Sequence, residues 1–202
     1  MTTPRNSMRS ALLAAVVLAT ASAPAIAANK LYPAAVPATV AKSTLTVTPS
    51  IAWNKLSARP GRNAETWTLD GPALNDLSFF GGIKDGKTLL RDSDKRNKPL
   101  PRFSKTMLPT DIVQLFEGSY RLAGDTALFE VGKVEPVTFA GVPGVRFEYA
   151  FVQRDEVRRQ GEATGAVIGG RLYLISFEAP SIHYFARDIA RYRELVGSAR
   201  VG

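Results

Sequence analysis

At 202 residues, with 26 basic and 18 acidic side chains, the chain carries a formal net charge of +8 and not one cysteine. Without thiols it has no disulfide, no thiolate metal site, no cysteine nucleophile and no cysteine to bear a lipid. Any Ser/His/Asp arrangement, and any imidazole-based metal centre, would have to draw on His183, the one histidine.

The first 27 residues read as an export signal. Arg5 and Arg9 precede an uninterrupted apolar run from Ala11 to Ala19, and Pro24 leads into Ala25-Ile26-Ala27, an A-x-A cleavage pattern. The run is about half the roughly 20 apolar residues a bilayer span requires. Cleavage is therefore expected after Ala27, leaving no integral membrane segment and a protein that is periplasmic or secreted. Arg5 and Arg9 account for two of the eight excess charges, so the rest of the chain keeps +6. Outside the cytoplasm such a surplus is expected to meet a protein or an anionic envelope component, and nucleic acid is a poor partner.

Residues 28–43 are rich in Ala and Pro with no apolar period, the pattern of a flexible leader, and residues 44–202 are expected to form one domain. Its first half reads as short strands: Leu45 to Thr48, Ile51 to Leu56, Glu65 to Leu69 and Leu74 to Phe80, the last stopped by Gly81-Gly82. Lys84-Asp85-Gly86-Lys87 is a hairpin-type turn before Thr88-Leu89-Leu90. A polar, basic, Pro-containing connection then runs from Arg91 to Pro109. A helix is expected from Thr110 to Ala123, with Ile112, Leu115 and Phe116 on one face and Gly124 as its stop.

Leu128 to Phe139, Val145 to Phe151, Val157 to Ile168 and Leu172 to Phe177 form four strand candidates whose links are too short for anything but antiparallel neighbours. Leu172 to Phe177 is apolar at nearly every position, as in a central strand covered on both sides. The last helix is expected from Ser181 to Ser198, with Ile182, Phe185, Ile189, Tyr192 and Val196 as its apolar stripe and Arg187, Asp188, Arg191 and Glu194 on its wet face. The fold class implied is α+β: an antiparallel sheet of about six to seven strands, ending in a four-strand meander and flanked by two amphipathic helices in an α/β/α sandwich.

Over residues 128–201 the chain resembles the superfamily of PsbP-like and DcrB-like proteins. The resemblance rests on Glu135-Pro136-Val137-Thr138-Phe139-Ala140-Gly141, on Arg171-Leu172-Tyr173-Leu174 after Gly169-Gly170, and on Ala179-Pro180 with the closing Gly197-Ser198-Ala199-Arg200. It implies an α/β/α sandwich and a binding or accessory role more than an enzyme, and it carries over no catalytic residue and no cofactor.

The candidate sites are few. Lys95, Arg96, Lys98, Arg102 and Lys105 cluster in the Pro-stiffened connection with no acid between Asp94 and Asp111, so they are the candidate anion- or partner-binding residues. Trp53 and Trp67 are candidates for lining an apolar ligand or lipid pocket, with core packing as the alternative. Asp92-Ser93-Asp94 lacks the glycine and closing glutamate of a calcium loop, and neither a metal site nor a cofactor is expected. A hydrolase would need His183 with Ser176, Ser181 or another serine, but no G-x-S-x-G elbow is present. Asp70 and Asp76 flank a turn and could be imagined as an acid/base pair, but Asp-Gly-Pro is mostly turn chemistry. Arg154, Arg158 and Arg159 form a second basic group that strand alternation splits between two faces.

Overall fold

The computed structural model describes residues 30–202 apart from 125, 127 and 154, so the expected export signal lies outside the described residues. The elements in chain order are β1 (Lys30–Tyr32), β2 (Ala38–Thr39), β3 (Leu45–Val47), β4 (Trp53–Lys55), β5 (Ala64–Thr68), β6 (Asp76–Ile83), α1 (Pro109–Ala123), β7 (Leu128–Phe139), β8 (Val142–Val152), β9 (Arg158–Ile168), β10 (Arg171–Pro180), α2 (Tyr184–Gly197) and β11 (Arg200–Val201). Eight strands form one antiparallel sheet in the order β1-β4-β5-β6-β10-β9-β8-β7, and a small second sheet runs β11-β3-β2.

The four-strand meander is a consequence of its turns. Two-residue loops, Ala140-Gly141 and Gly169-Gly170, join β7 to β8 and β9 to β10, and all four of these residues have positive φ. That is the backbone whose twist matches a tight antiparallel hairpin, and glycine adopts it without a Cβ penalty.

Alternation along β10 sets the layers. Leu172 and Leu174 join the core beneath α1, whereas Tyr173, Ile175, Phe177 and Ala179 join the core beneath α2. Since successive strand residues point to opposite faces, the two helices cover opposite faces of the sheet, which makes the expected α/β/α sandwich. On one face the ring of Phe116 in α1 packs 5.2 Å from Phe147 and 5.0 Å from Tyr149. On the other, the hydroxyl of Tyr192 in α2 bonds to Thr164 Oγ1 and to the Ile175 carbonyl, each at 3.1 Å.

The Ala/Pro-rich stretch expected to be a loose leader is instead part of the domain from Lys30 onward. β1 pairs with β4, β2 pairs with β3, and Val40 and Ala41 are fully buried. Tyr32 stacks on Trp67 with ring centroids 4.4 Å apart. β1 meets its partner strand far along the chain, with Tyr32 opposite Trp53, and β2 is a two-residue strand beside the nearby β3, so no local period announces either. β1 also raises the main sheet to eight strands rather than six or seven.

Other boundaries moved for local reasons. α1 starts one residue before Thr110: Pro109 takes the first position, where its missing N–H costs nothing, and Asp111 Oδ2 accepts the Leu108 N–H at 2.8 Å. α2 starts at Tyr184 because β10 extends through Pro180 and His183 adopts φ 73°. Ile182 therefore falls outside the helix and is 84% exposed. Asp188, expected on the wet face, is fully buried, where Arg187 and Arg191 neutralise it. Thr88-Leu89-Leu90 forms no strand.

The glycine pair expected to stop β6 lies inside it. Against β10, Leu174 pairs with Phe80 but Leu172 pairs with Ile83, so β6 carries one extra residue there, and Gly82 has φ +64°. This is a β-bulge, which bends the strand and re-aims the residues after it, Ile83 and Lys84.

Candidate anion-binding cleft

Beyond the bulge, the connection from residue 84 to 108 is irregular but tied down. The Gly86 N–H donates to the Phe103 carbonyl and the Phe103 N–H to the Lys87 carbonyl, both at 2.8 Å. Arg102 Nη1 donates to the Gly86 carbonyl at 2.9 Å, and the Lys105 N–H to Asp85 Oδ1 at 2.9 Å. Leu89 and Phe103 are buried in the core beneath α1 and anchor the connection to the sheet. The turn at 59–61 lies against it: the Arg91 N–H donates to the Pro60 carbonyl at 2.7 Å. A Cβ on Gly61 would stand 2.2 Å from the Leu89 carbonyl oxygen, so only glycine allows this approach.

Between that turn and the connection opens a cleft of about 740 Å³. Arg62, Lys84, Lys87, Arg91, Lys95 and Arg102 line it, and Asp92 is the one acidic residue in the lining. All six cations are exposed, and among the described residues none of them is in an ion pair. Elsewhere several arginines and lysines are paired with acids, as in Lys55–Glu65, Arg158–Glu130, Arg159–Asp155 and Arg193–Glu162. Several cations around one concavity focus a positive potential into it and can bind phosphate or carboxylate groups, arginine by paired hydrogen bonds.

Of the five residues that the sequence nominated, Lys95 and Arg102 line the cleft, while Arg96, Lys98 and Lys105 do not. Arg62, Lys84, Lys87 and Arg91 were missed. Lys84 and Lys87 were legible only as turn residues; the pairing of Phe103 with Lys87 brings them opposite Arg102. Asp94 caps its own turn by accepting from the Asn97 side chain at 3.0 Å.

Trp53 and Trp67 are not in the lining of this cleft. They are 1% and 0% exposed in the core between the sheet and α2, and Trp67 is also edge-on to Phe79 at 4.7 Å. Its indole N–H donates to Glu65 Oε1 at 2.9 Å, so even its polar atom is satisfied internally. Packing against Tyr32 from the supposed leader closes the space a ligand would need.

His183 is exposed and T-stacked on Tyr184. Ser181 Oγ donates to the Arg158 carbonyl at 3.1 Å, and Ser176 is buried on the α1 face of β10. Neither serine is bonded to the imidazole, so no nucleophile–base pair is formed. Arg158 and Arg159 do point apart: Arg158 pairs with Glu130 on the surface, and Arg159 is 7% exposed and holds Asp155 down to about 2. Arg154 lies outside the described residues.

Asp70 and Asp76 do not face each other. Asp70 pairs with Arg187 of α2, whereas Asp76 stands opposite Glu178 across the β6–β10 ladder. Burial pushes Asp76 up to about 7, and raises Glu178 despite the hydrogen bond it accepts from Tyr149 at 3.0 Å. The adjoining space is about 20 Å³, room for a single water, so this pair has no substrate-sized opening.

No family model matches the chain, and no curated protein does. Solved structures do. The cyanobacterial PsbP of Synechocystis aligns over 92% of this chain and 99% of its own, at 16% identity and a TM-score of 0.54. A Pseudomonas aeruginosa protein of unknown function aligns over 83% of this chain and 92% of its own, at 12% identity and a TM-score of 0.39. LpqN of Mycobacterium tuberculosis, a protein involved in cell envelope biogenesis, aligns over 86% and 91%, at 9% identity and a TM-score of 0.36. What the chain shares with the cyanobacterial protein is its fold, the PsbP-like α/β/α sandwich.

Proposed function

We propose that this protein is an exported, non-enzymatic accessory protein of the bacterial envelope that binds an anionic partner in the cleft between the 59–63 turn and the 84–102 connection. The observation that carries this reading is the gathering of six cations, none of them in an ion pair among the described residues, around a concavity of about 740 Å³. Such a volume lies within the roughly 300–1,000 Å³ range of small-ligand sites. Export is supported by Arg5, Arg9, the Ala11 to Ala19 run and Ala25-Ile26-Ala27. Binding is favoured over catalysis because neither Ser176 nor Ser181 is bonded to His183 and the space beside the Asp76–Glu178 pair is only about 20 Å³.

The test is isothermal titration with inorganic pyrophosphate at low ionic strength. Binding is expected for the unaltered protein and for Arg96→Glu, whose side chain lies outside the cleft, and is expected to vanish in the double variant Lys84→Glu, Lys87→Glu. Equal binding by all three proteins would overturn the cleft as the site. Cell fractionation, with detection of the chain shortened at Ala27, tests the location.

A further inference from the structure

The cations of the cleft fall into two groups, each assembled by its own hydrogen bonds. In the first, Lys84, Lys87 and Arg102 meet around Gly86. There the Lys87 N–H donates to the Lys84 carbonyl at 3.1 Å, the Phe103 N–H to the Lys87 carbonyl at 2.8 Å, and Arg102 Nη1 to the Gly86 carbonyl at 2.9 Å. In the second, the bond from the Arg91 N–H to the Pro60 carbonyl, at 2.7 Å, brings Arg91 beside the turn that carries Arg62, and Lys95 follows in the same segment. Leu89, fully buried, takes the chain into the core between the two groups. Asp92 adjoins Arg91 in the lining, but both its carboxylate oxygens are closed to solvent. It therefore offers a ligand no hydrogen bond and only lowers the formal charge of the lining from +6 to +5.

We infer that the ligand carries two or more linked phosphates, which bridge the two groups of cations; this rests on the anion-binding reading above. One phosphate brings a charge of about −2 and three strong acceptor oxygens. That matches three cations, and charge-assisted bonds form only at about 2.7–2.9 Å, so a phosphate seated in one group leaves the other without a counter-charge. A second phosphate on the same molecule supplies it. The linkage makes the second contact intramolecular, which raises affinity without any new kind of interaction. The volume of about 740 Å³ has room for such a chain. Carboxylates match less well, since each brings one charge and two oxygens. An acidic peptide would have to crowd five of them into the cleft to balance the lining, although side chains of an extended segment alternate between two sides.

The experiment titrates orthophosphate, tripolyphosphate and hexaglutamate into the unaltered protein, Lys87→Gln, Arg91→Gln and the double variant. It is run at 0.15 M salt, where a screening length of about 8 Å limits action at a distance. Tripolyphosphate is expected to bind the unaltered protein at least about tenfold more tightly than orthophosphate, and to lose about that factor in each single variant. Orthophosphate needs only one intact group, so each single variant should keep its binding within about twofold, which also reports that the variant's cleft is folded. The double variant should weaken both ligands. Equal affinities for the two phosphates would overturn the bridging and leave the anion-binding reading standing. So would a tripolyphosphate affinity that responds to only one of the two single substitutions. Tightest binding of hexaglutamate would make the occupant an acidic peptide instead. If no anion binds the unaltered protein, the anion-binding reading falls, and this inference with it. Phosphatidylcholine vesicles carrying farnesyl diphosphate separate two sources of the same chemistry. Tighter capture of the vesicles than of tripolyphosphate, lost in the double variant, assigns the linked phosphates to a lipid head group, and equal or weaker capture assigns them to a soluble molecule.

Discussion

Asp76 of β6 and Glu178 of β10 stand directly opposite each other in the antiparallel ladder, so two carboxyl groups project side by side from the α1 face of the sheet. Like charges in that position oppose folding. Desolvation, with Glu178 as a second cause, raises Asp76 to about 7, and Glu178 is raised as well. Arg159 acts in the other direction on both.

The sign of the resulting pH dependence is fixed. Between about pH 4 and pH 7 the folded protein keeps a proton on Asp76 that the unfolded chain has released, so stability must fall as pH rises through that window. Raising a carboxyl pKa by one costs the ionised form about 1.4 kcal/mol, and because the pair is partly exposed the total is on the order of 2–4 kcal/mol. Asp76→Asn should flatten the slope and stabilise the protein at pH 8. Urea unfolding at pH 5 and pH 8 measures this, and an unchanged slope would contradict it.

Tyr149 depends on a missing side chain. Its ring lies over Gly161, its cross-strand neighbour, where a Cβ would come within 2.2 Å of the ring carbon that bears the hydroxyl. The same ring stacks on Phe129 at 5.5 Å and donates to Glu178. Gly161→Ala should therefore displace the ring and cost about 1–3 kcal/mol, as overpacking of a filled core does. Thermal melts of Gly161→Ala, and of the same change in a Tyr149→Leu background where the clash is gone, should differ clearly.

The cleft predicts a steep salt dependence. Its cations are exposed, and the screening length is about 10 Å at 0.1 M salt and about 3 Å at 1 M. Pyrophosphate affinity should drop at least tenfold between 0.05 and 0.5 M sodium chloride, about 1.4 kcal/mol. Calorimetry over that range checks it, and a flat response would mean that the cations are not the contacts.

Both tryptophans are sealed in the core. Their fluorescence should be blue-shifted and resist iodide quenching in the native state, and saturation with an anionic ligand should leave it unchanged. Strong quenching would place at least one indole in contact with solvent and reopen an aromatic pocket.

Much of the second half was legible from local pattern. The Leu128 to Phe139 strand, the alternation of Val145, Phe147, Tyr149 and Phe151, and the short Gly-containing links dictated an antiparallel meander, because each link is too short for any other route. The N-terminal half was less legible. β1 and β2 are only three and two residues long, and they exist because Tyr32 finds Trp67 and Ala38 finds Val47. Gly81-Gly82 looked like a stop, since nothing in a dipeptide distinguishes a bulge from a turn until a partner strand supplies the register.

The sequence by itself determined the absence of thiol chemistry, the α+β class, the two amphipathic helices and the presence of a basic connection, since composition and short-range periodicity are properties of neighbouring residues. Only the tertiary structure decided which cations line one cleft. Lys84 leaves a bulged strand, Arg62 comes after a turn that packs on Leu89, and Arg102 is bonded to Gly86, so residues separated by up to forty positions converge on one cleft. Tertiary contacts likewise enclose Trp53 and Trp67 in the core. The physical reason is the same in both cases. Burial and convergence depend on contacts between distant segments, and no local pattern of charge or hydrophobicity encodes those.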